Sequence, residues 1–128
     1  MLSKEKRIVK RGEFDAFFGY AFKKKYGKSI AGSFFVVKAM KNRYKSSRFG
    51  FIVNNKIDNR ATARNKIKRR LREIARFNFA KLKESIDILI VVKPSAKGKS
   101  LIELEREYKY ILDKLGIFKT KEHLSKET

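Results

Sequence analysis

The residues most able to do chemistry lie in one run, Ala63-Arg64-Asn65-Lys66-Ile67-Lys68-Arg69-Arg70-Leu71-Arg72-Glu73. Six of the nine residues from Arg64 to Arg72 are Lys or Arg, while Ile67 and Leu71 recur at helical spacing. Ile74 and Ala75 extend that stripe, which predicts an amphipathic helix with one narrow buried edge. Arg64, Lys68 and Arg72 fall at i, i+4 and i+8, and Asn65, Arg69, Arg72 and Arg76 share the neighbouring face. Like charges at i+4 oppose a helix, and cations in a first turn oppose its dipole. A helix built against its own electrostatics calls for an external anion. A merely solvated face usually mixes signs, but this one holds a single acid, Glu73. A nucleic-acid phosphate backbone is the anion that fits.

Other chemistry is missing. The single histidine, His123, stands near the C-terminus and there is no cysteine, which argues against imidazole or thiolate catalysis and against a Cys/His metal site. The sequence shows no Gly-rich phosphate loop and no Ser/His/Asp arrangement. Glu103, Glu105, Glu107 and Asp113 cluster among cations such as Arg106 and Lys109, and read as a solvated helix face rather than a metal site. The expectation is a binding surface with no catalytic residue and no metal ligand of its own.

The elements that must position this surface follow from periodicity. Residues 13–22 read as a short helix with Phe14, Phe18 and Phe22 along one edge and Phe17 in the core. Residues 33–39 and 48–53 read as strands joined by a polar hairpin connection over 41–47, with room for another strand in the 28–39 region. The basic helix spans 61–79. Residues 86–92 (Ile-Asp-Ile-Leu-Ile-Val-Val) are rich in β-branched side chains and predict a buried strand. Ser100-Leu101-Ile102-Glu103 has the form of a capping box opening a last helix, and Gly116 suits its C-terminal end. The sum is a single α+β domain over 1–128, one sheet covered by helices on one side, with 117–128 as a frayed tail.

Composition bounds the partners. Among 128 residues, 34 are Lys or Arg and 13 Asp or Glu, a formal charge of +21, while 42% are hydrophobic. That is too apolar for a disordered basic tail and points to a polyanion-binding folded domain. From Ala16 to Lys83 there are 20 basic residues against two acids, Asp58 and Glu73, so the imbalance is concentrated in the middle of the chain. No stretch is long and apolar enough for a signal peptide or a membrane span, and a cytoplasmic location is expected.

Three segments together resemble a known family. Arg48-Phe49-Gly50-Phe51-Ile52-Val53-Asn54-Asn55-Lys56, then Ala63-Arg64-Asn65-Lys66-Ile67-Lys68-Arg69, then Arg72-Glu73 is similar to the protein subunit of bacterial ribonuclease P. That family shows a strand R-x-G-hydrophobic-x-V, a lysine-bearing turn and a helix opening R-N-R-x-K-R-x-x-R-E. Lys10-Arg11-Gly12-Glu13-Phe14 with Phe18 resembles its N-terminal helix, and residues 88–94 its strand ending in Lys/Arg-Pro. Lys66 stands where the family has the second arginine of R-N-R, keeping the charge without the bidentate guanidinium fork. Asn54-Asn55-Lys56 replaces a commonly double-lysine turn, and Asp58 is an unusual acid there.

The resemblance implies an α-β-β-β-α-β-α sandwich with a left-handed βαβ crossover. It implies a subunit of an endoribonuclease that removes the 5′ leader of precursor tRNA. In that enzyme the large RNA subunit is the catalyst and holds the Mg²⁺, the protein alone binding no metal and requiring no protein partner. By the same resemblance Arg64, Asn65, Lys66, Lys68, Arg69, Arg72 and Lys56 face the catalytic RNA subunit. Phe14, Phe18 and Lys38 face the precursor tRNA leader, in a cleft between the N-terminal helix and the sheet. Read without the family, Phe14 and Phe18 are better taken as core phenylalanines, and the resemblance makes leader contact an even alternative. A ribosomal-type RNA-binding protein is the competing reading. A peripheral membrane protein fits less well, because the apolar stripe of the basic helix is too narrow for a lipid surface.

Overall fold

The computed structural model describes residues 3–119. His123 and positions 120–128 of the expected frayed tail lie outside them. Residues 117–119 are not frayed: Ile117 is buried, Lys83 donates its N–H to the Ile117 carbonyl, Phe118 bridges Leu82, and the Lys119 N–H reaches the Lys81 carbonyl.

The most apolar strand dictates the sheet. β4 (Ile86–Val92) is buried on both faces, so it needs a partner on each edge. β2 (Phe35–Lys41) pairs with it antiparallel and β3 (Arg48–Ile52) pairs with it parallel, while β1 (Lys28–Ala31) pairs outside β2. The order is β1-β2-β4-β3. β2 and β3 are therefore not a hairpin, contrary to the expectation from their polar link, because β4 occupies the place between them. The link is pinned to the start of β4 instead. The Asn42 N–H donates to the Ser85 carbonyl, Ser47 Oγ donates to the Lys83 carbonyl, and Ser47 Oγ also accepts from the Ile86 N–H.

Period-2 alternation sends Phe35, Val37 and Ala39 of β2, Phe49 of β3, and Ile88, Ile90 and Val92 of β4 to one face. Two helices cover that face. α3 (Ala61–Phe77) contributes Leu71, Ile74 and Ala75, and α4 (Leu101–Lys114) contributes Leu104, Tyr108, Ile111 and Leu112. α4 opens with the expected capping box, Ser100 Oγ accepting from the Glu103 N–H at 3.2 Å, and Gly116 follows it at φ +73°.

The opposite face is not bare, which corrects the one-sided covering expected from the sequence. Ile8, Phe17, Met40 and Leu89 form a second small core there, with Phe14 and Phe22 packed beside it. The N-terminal segment that supplies them is not one helix. It comprises α1 (Arg11–Asp15), a 3-10 turn over Ala16–Phe18, an extended Gly19, and α2 (Tyr20–Lys24). The break shifts the phase of the phenylalanines. Phe17 is buried at 1% exposure, as expected, whereas Phe18 stands 61% exposed instead of sharing one edge with Phe14 and Phe22.

Candidate nucleic-acid interface

α3 presents its cations as the spacing required. Asn65, Lys66 and Arg69 are exposed, and Arg64, Lys68 and Arg72 are half-exposed around the edge that Leu71, Ile74 and Ala75 bury. Its N-cap, Arg60, makes no side-chain capping bond, and no acid lies in the first turn. The leading N–H groups thus point outward with the positive end of the dipole, the geometry that holds a phosphate. Glu73 is paired with Arg76 at 3.0 Å.

The loop ahead of α3 explains the unusual Asp58. Its buried carboxylate accepts from the Arg60 backbone N–H at 3.0 Å and from Arg60 Nε at 3.1 Å, and it pairs with Lys97 Nζ at 3.2 Å. Arg60 first, and Lys97 with it, hold this carboxyl well below the usual range. The Asp58 carbonyl also accepts from Arg64 Nη1 at 3.0 Å. Asp58 thus holds Arg60 and Lys97 through its carboxylate and Arg64 through its backbone carbonyl. Lys56 is exposed on the preceding turn, which Asn54 shapes by accepting the Lys56 N–H at 3.0 Å.

The second candidate region lies on the far face of the sheet. Lys38 is half-exposed, its ammonium 5.1 Å from the centre of the Phe18 ring and 5.0 Å from that of Phe22. Sequence reasoning placed Phe22 on the helix edge without a role; its spacing of four from Phe18 was the available signal. Lys38, Leu89 and Gly50 form one row across β2, β4 and β3. Phe14 lies over the Gly50 end of that row. A Cβ at Gly50 would sit 2.7 Å from Phe14 Cε1, so the glycine is what allows the ring onto the strand. Above this row Val36, Val91 and Ile52 are registered side by side and half-exposed, giving an apolar floor. Phe18, Phe22 and Lys38 therefore meet, whereas Phe14 stands across the sheet from Lys38, roughly two strand spacings (~9.5 Å) away, half-buried in the second core. Phe34, which shares alternate spacing with Lys38, packs instead with the helix-side core.

The two regions share one end of the molecule. β3 and β4 are parallel and β2 antiparallel, so Ile52, Val91 and Val36 mark the same sheet end. The loop to α3 departs there, and the Asp58–Lys97 pair ties it to the segment after β4. The other end of the face is occupied by a network that the sequence did not reveal. Arg48 donates from Nε and Nη2 to Asp87 at 2.9 and 2.7 Å and from Nη1 to Glu13 at 2.8 Å, and Asn42 Nδ2 donates to Asp87 at 2.8 Å. The Asp87 contact, with Glu13 assisting, raises the Arg48 pKa against the opposing effect of burial. Breaking such a pair by removing one partner costs roughly 3–5 kcal/mol. The network locks α1 to the sheet.

Of the four α4 acids, Glu103 and Asp113 are exposed as expected, but Glu105 and Glu107 are not a solvated face. Glu107 accepts three backbone N–H groups, from Ser33 and Phe34 at 2.6 Å and from Phe35 at 3.0 Å. Glu105 accepts from Asn78 Nδ2 at 3.1 Å, and Glu103 completes the capping box. Asp113 is exposed. Among the described residues no group of three or more His, Cys, Asp or Glu is placed to hold a metal ion, and no helix is long and apolar enough to cross a membrane.

Known proteins share this arrangement. The family model described as ribonuclease P matches residues 2–116. A ribonuclease P protein component of Syntrophomonas wolfei is 35% identical over 118 residues, spanning 92% of this chain and 93% of its own. One from Staphylococcus epidermidis is 34% identical over 124 residues, covering 94% and 98%. Among solved structures, the Staphylococcus aureus RNase P protein superposes with a TM-score of 0.76 at 27% identity, covering 89% of this chain and 98% of that one. The Thermotoga maritima RNase P protein gives 0.72 at 29%, covering 84% and 96%.

Proposed function

The chain belongs to the ribonuclease P family, and on that premise we propose that it carries two RNA surfaces, one for the catalytic RNA subunit and one for the precursor tRNA leader. The observation that carries this reading is the uncapped, almost acid-free start of α3 lying at the same sheet end as the Phe18–Lys38 cleft. Arg64, Asn65, Lys66, Lys68, Arg69 and Arg72, with Lys56 on the adjoining turn, meet phosphates and 2′-hydroxyls of the RNA subunit and read its shape rather than its sequence. Phe18 offers a stacking surface to a leader base, Lys38 meets a leader phosphate, and Phe14 forms the wall across the Lys38–Gly50 row.

The protein assists endonucleolytic removal of the leader, giving the mature 5′ end, while the RNA subunit carries out phosphodiester hydrolysis. Mg²⁺ in that complex supplies charge stabilisation and an activated water, and we assign it mainly to the RNA. The commitments of the protein's own carboxylates favour this: Asp87 to Arg48 and Asn42, Asp58 to Arg60 and Lys97, and Glu107 to backbone N–H groups. No protein partner is needed by this scheme, and it operates in the cytoplasm.

The test is cleavage of precursor tRNA at low Mg²⁺ by a bacterial ribonuclease P RNA, with and without the protein. Stimulated leader release, with the protein inert alone, is the expected result. Tight RNA binding without stimulation by several such RNAs would overturn the reading and move the assignment to a ribosomal role.

A further inference from the structure

At the other end of the cleft face, beyond the Phe18–Lys38 contact, the surface opens into a groove of about 530 Å³. It lies between the last turn of α2 and the link from β2 to β3. Its rim carries four exposed cations, Lys24, Lys25, Lys41 and Arg43, and two exposed tyrosines, Tyr26 and Tyr44. Two acids, Glu13 and Asp87, reach its floor, but Arg48 pairs with both. The floor keeps one net negative charge against four positive charges on the rim, so the field in the groove is positive.

The rings are held for contact. Tyr26 sits in the left-handed region at φ +58°, which costs a side-chain-bearing residue about 1 kcal/mol. Its neighbours impose this conformation. The Gly27 N–H donates to the Phe22 carbonyl at 2.8 Å, the Lys41 N–H donates to the Lys25 carbonyl at 2.9 Å, and a Cβ at Gly27 would fall 2.5 Å from that Phe22 oxygen. The result turns the Tyr26 ring outward, 73% exposed, with the Lys41 ammonium 4.8 Å from its centre. Tyr44 is likewise backed on one face by the Arg48 guanidinium at 4.5 Å. Rings backed by cations beside exposed lysines are the combination that binds single-stranded nucleic acid, bases stacking and phosphates pairing.

We propose that this groove is a second leader subsite, taking single-stranded RNA that has passed the Phe18–Lys38 cleft. The inference rests on the leader reading above and extends it. Lys38 and Asn42 are four residues apart along the β2 path, about 13 Å. Met40 between them is buried under Phe17, so a strand leaving the cleft crosses the exposed Tyr20 and Lys24 of α2 to reach the Tyr26 rim. Because α3 starts at the cleft end, the groove takes the leader nucleotides farther from the cleavage site.

The test compares holoenzymes reconstituted with a ribonuclease P RNA on precursors that differ only in leader length. Wild type gains affinity as the leader lengthens past the cleft. Tyr26→Asn, which suits the left-handed conformation but offers no ring, loses about tenfold on long leaders, the effect of one base stack, and nothing on short ones. Tyr26→Phe retains the gain. Lys41→Ala with Arg43→Ala, which leaves the strained turn untouched, flattens the salt dependence on long leaders only. Full retention of the length-dependent gain by Tyr26→Asn and by the double variant, with Phe18→Ala still impaired, would overturn the second subsite and leave the cleft reading standing. No loss from Phe18→Ala either would overturn both. Equal weakening with and without a leader would overturn the leader assignment in favour of contact with the RNA subunit.

Discussion

α3 and α4 lie on the same face of the sheet and bury comparable apolar edges, yet they use charge in opposite ways. α4 has a capping box at its start, and Glu105 and Glu107 along its length reach Asn78 and three backbone N–H groups of the β1–β2 turn. Three of its four acids, all but the exposed Asp113, are committed to partners inside the protein. α3 starts on an uncapped arginine, carries one acid paired to Arg76, and leaves Lys66 and Arg69 in solvent. Polar residues that stabilise a fold find their partners within it, whereas Lys66 and Arg69 of α3 extend into solvent, where a ligand can meet them. Two helices of similar amphipathic pattern are thereby divided into a structural and a binding element.

The comparison breaks first at Glu107. Replacing it with Gln keeps one acceptor oxygen but turns an NH2 group toward one or two of the three backbone N–H groups, and is expected to lower stability by on the order of 2 kcal/mol in a denaturant melt, while affinity for the RNA subunit per folded molecule stays unchanged. A weakened affinity with an unchanged melt would put α4 at the interface. On α3 the expectation inverts. Arg64→Ala with Arg69→Ala should weaken binding to the RNA subunit about tenfold or more and reduce its log–log salt slope by roughly 1.5, with a stability loss of about 1 kcal/mol from the Arg64 bond to the Asp58 carbonyl. An unchanged slope would remove α3 from the interface.

Smaller changes sharpen the contrast. Ser100→Ala, which removes the α4 cap, should cost about 1 kcal/mol of stability and leave RNA binding alone. Thr62→Glu places the missing acid in the first turn of α3. It should raise stability by about 0.5 kcal/mol through the dipole, yet weaken RNA binding, so that fold and function move in opposite directions. If both rise together, the N-terminus of α3 does not face an anion.

Much of this was legible in the chain. The apolar stripe through Ile67, Leu71 and Ile74 defined α3, the β-branched run defined β4, and Ser100 with Glu103 defined the start of α4. What was not legible depends on who sits beside whom. Nothing local to residues 41–47 reveals that β4 will separate β2 from β3; that is set by the need of β4 to cover two edges. Phe14, Phe18 and Phe22 have helical spacing, and only the break at Gly19 shows that Phe18 alone stands out in solvent. Glu105 and Glu107 of α4 looked solvated because their partners, Asn78 and the N–H groups of residues 33–35, are remote in sequence. Arg48 was visible as a motif residue, but its role required Asp87 and Glu13 to be brought to it. The cations of α3 and Lys38 were readable as free charge because no nearby acid answered them.

The central place of β4 also governs how the chain comes to be folded. Every rung on either side of β4 joins it to residues that precede α3. During synthesis, β2 and β3 must therefore wait with the edges that face β4 open until the last strand emerges, and only the β1–β2 pair and the Arg7–Phe49 bridge can form early. Non-local closure of this kind is slow, and waiting edges invite pairing between chains. A charge of +21 on 128 residues keeps such chains apart. The same positive surface that meets RNA in the finished molecule acts beforehand as a guard against aggregation.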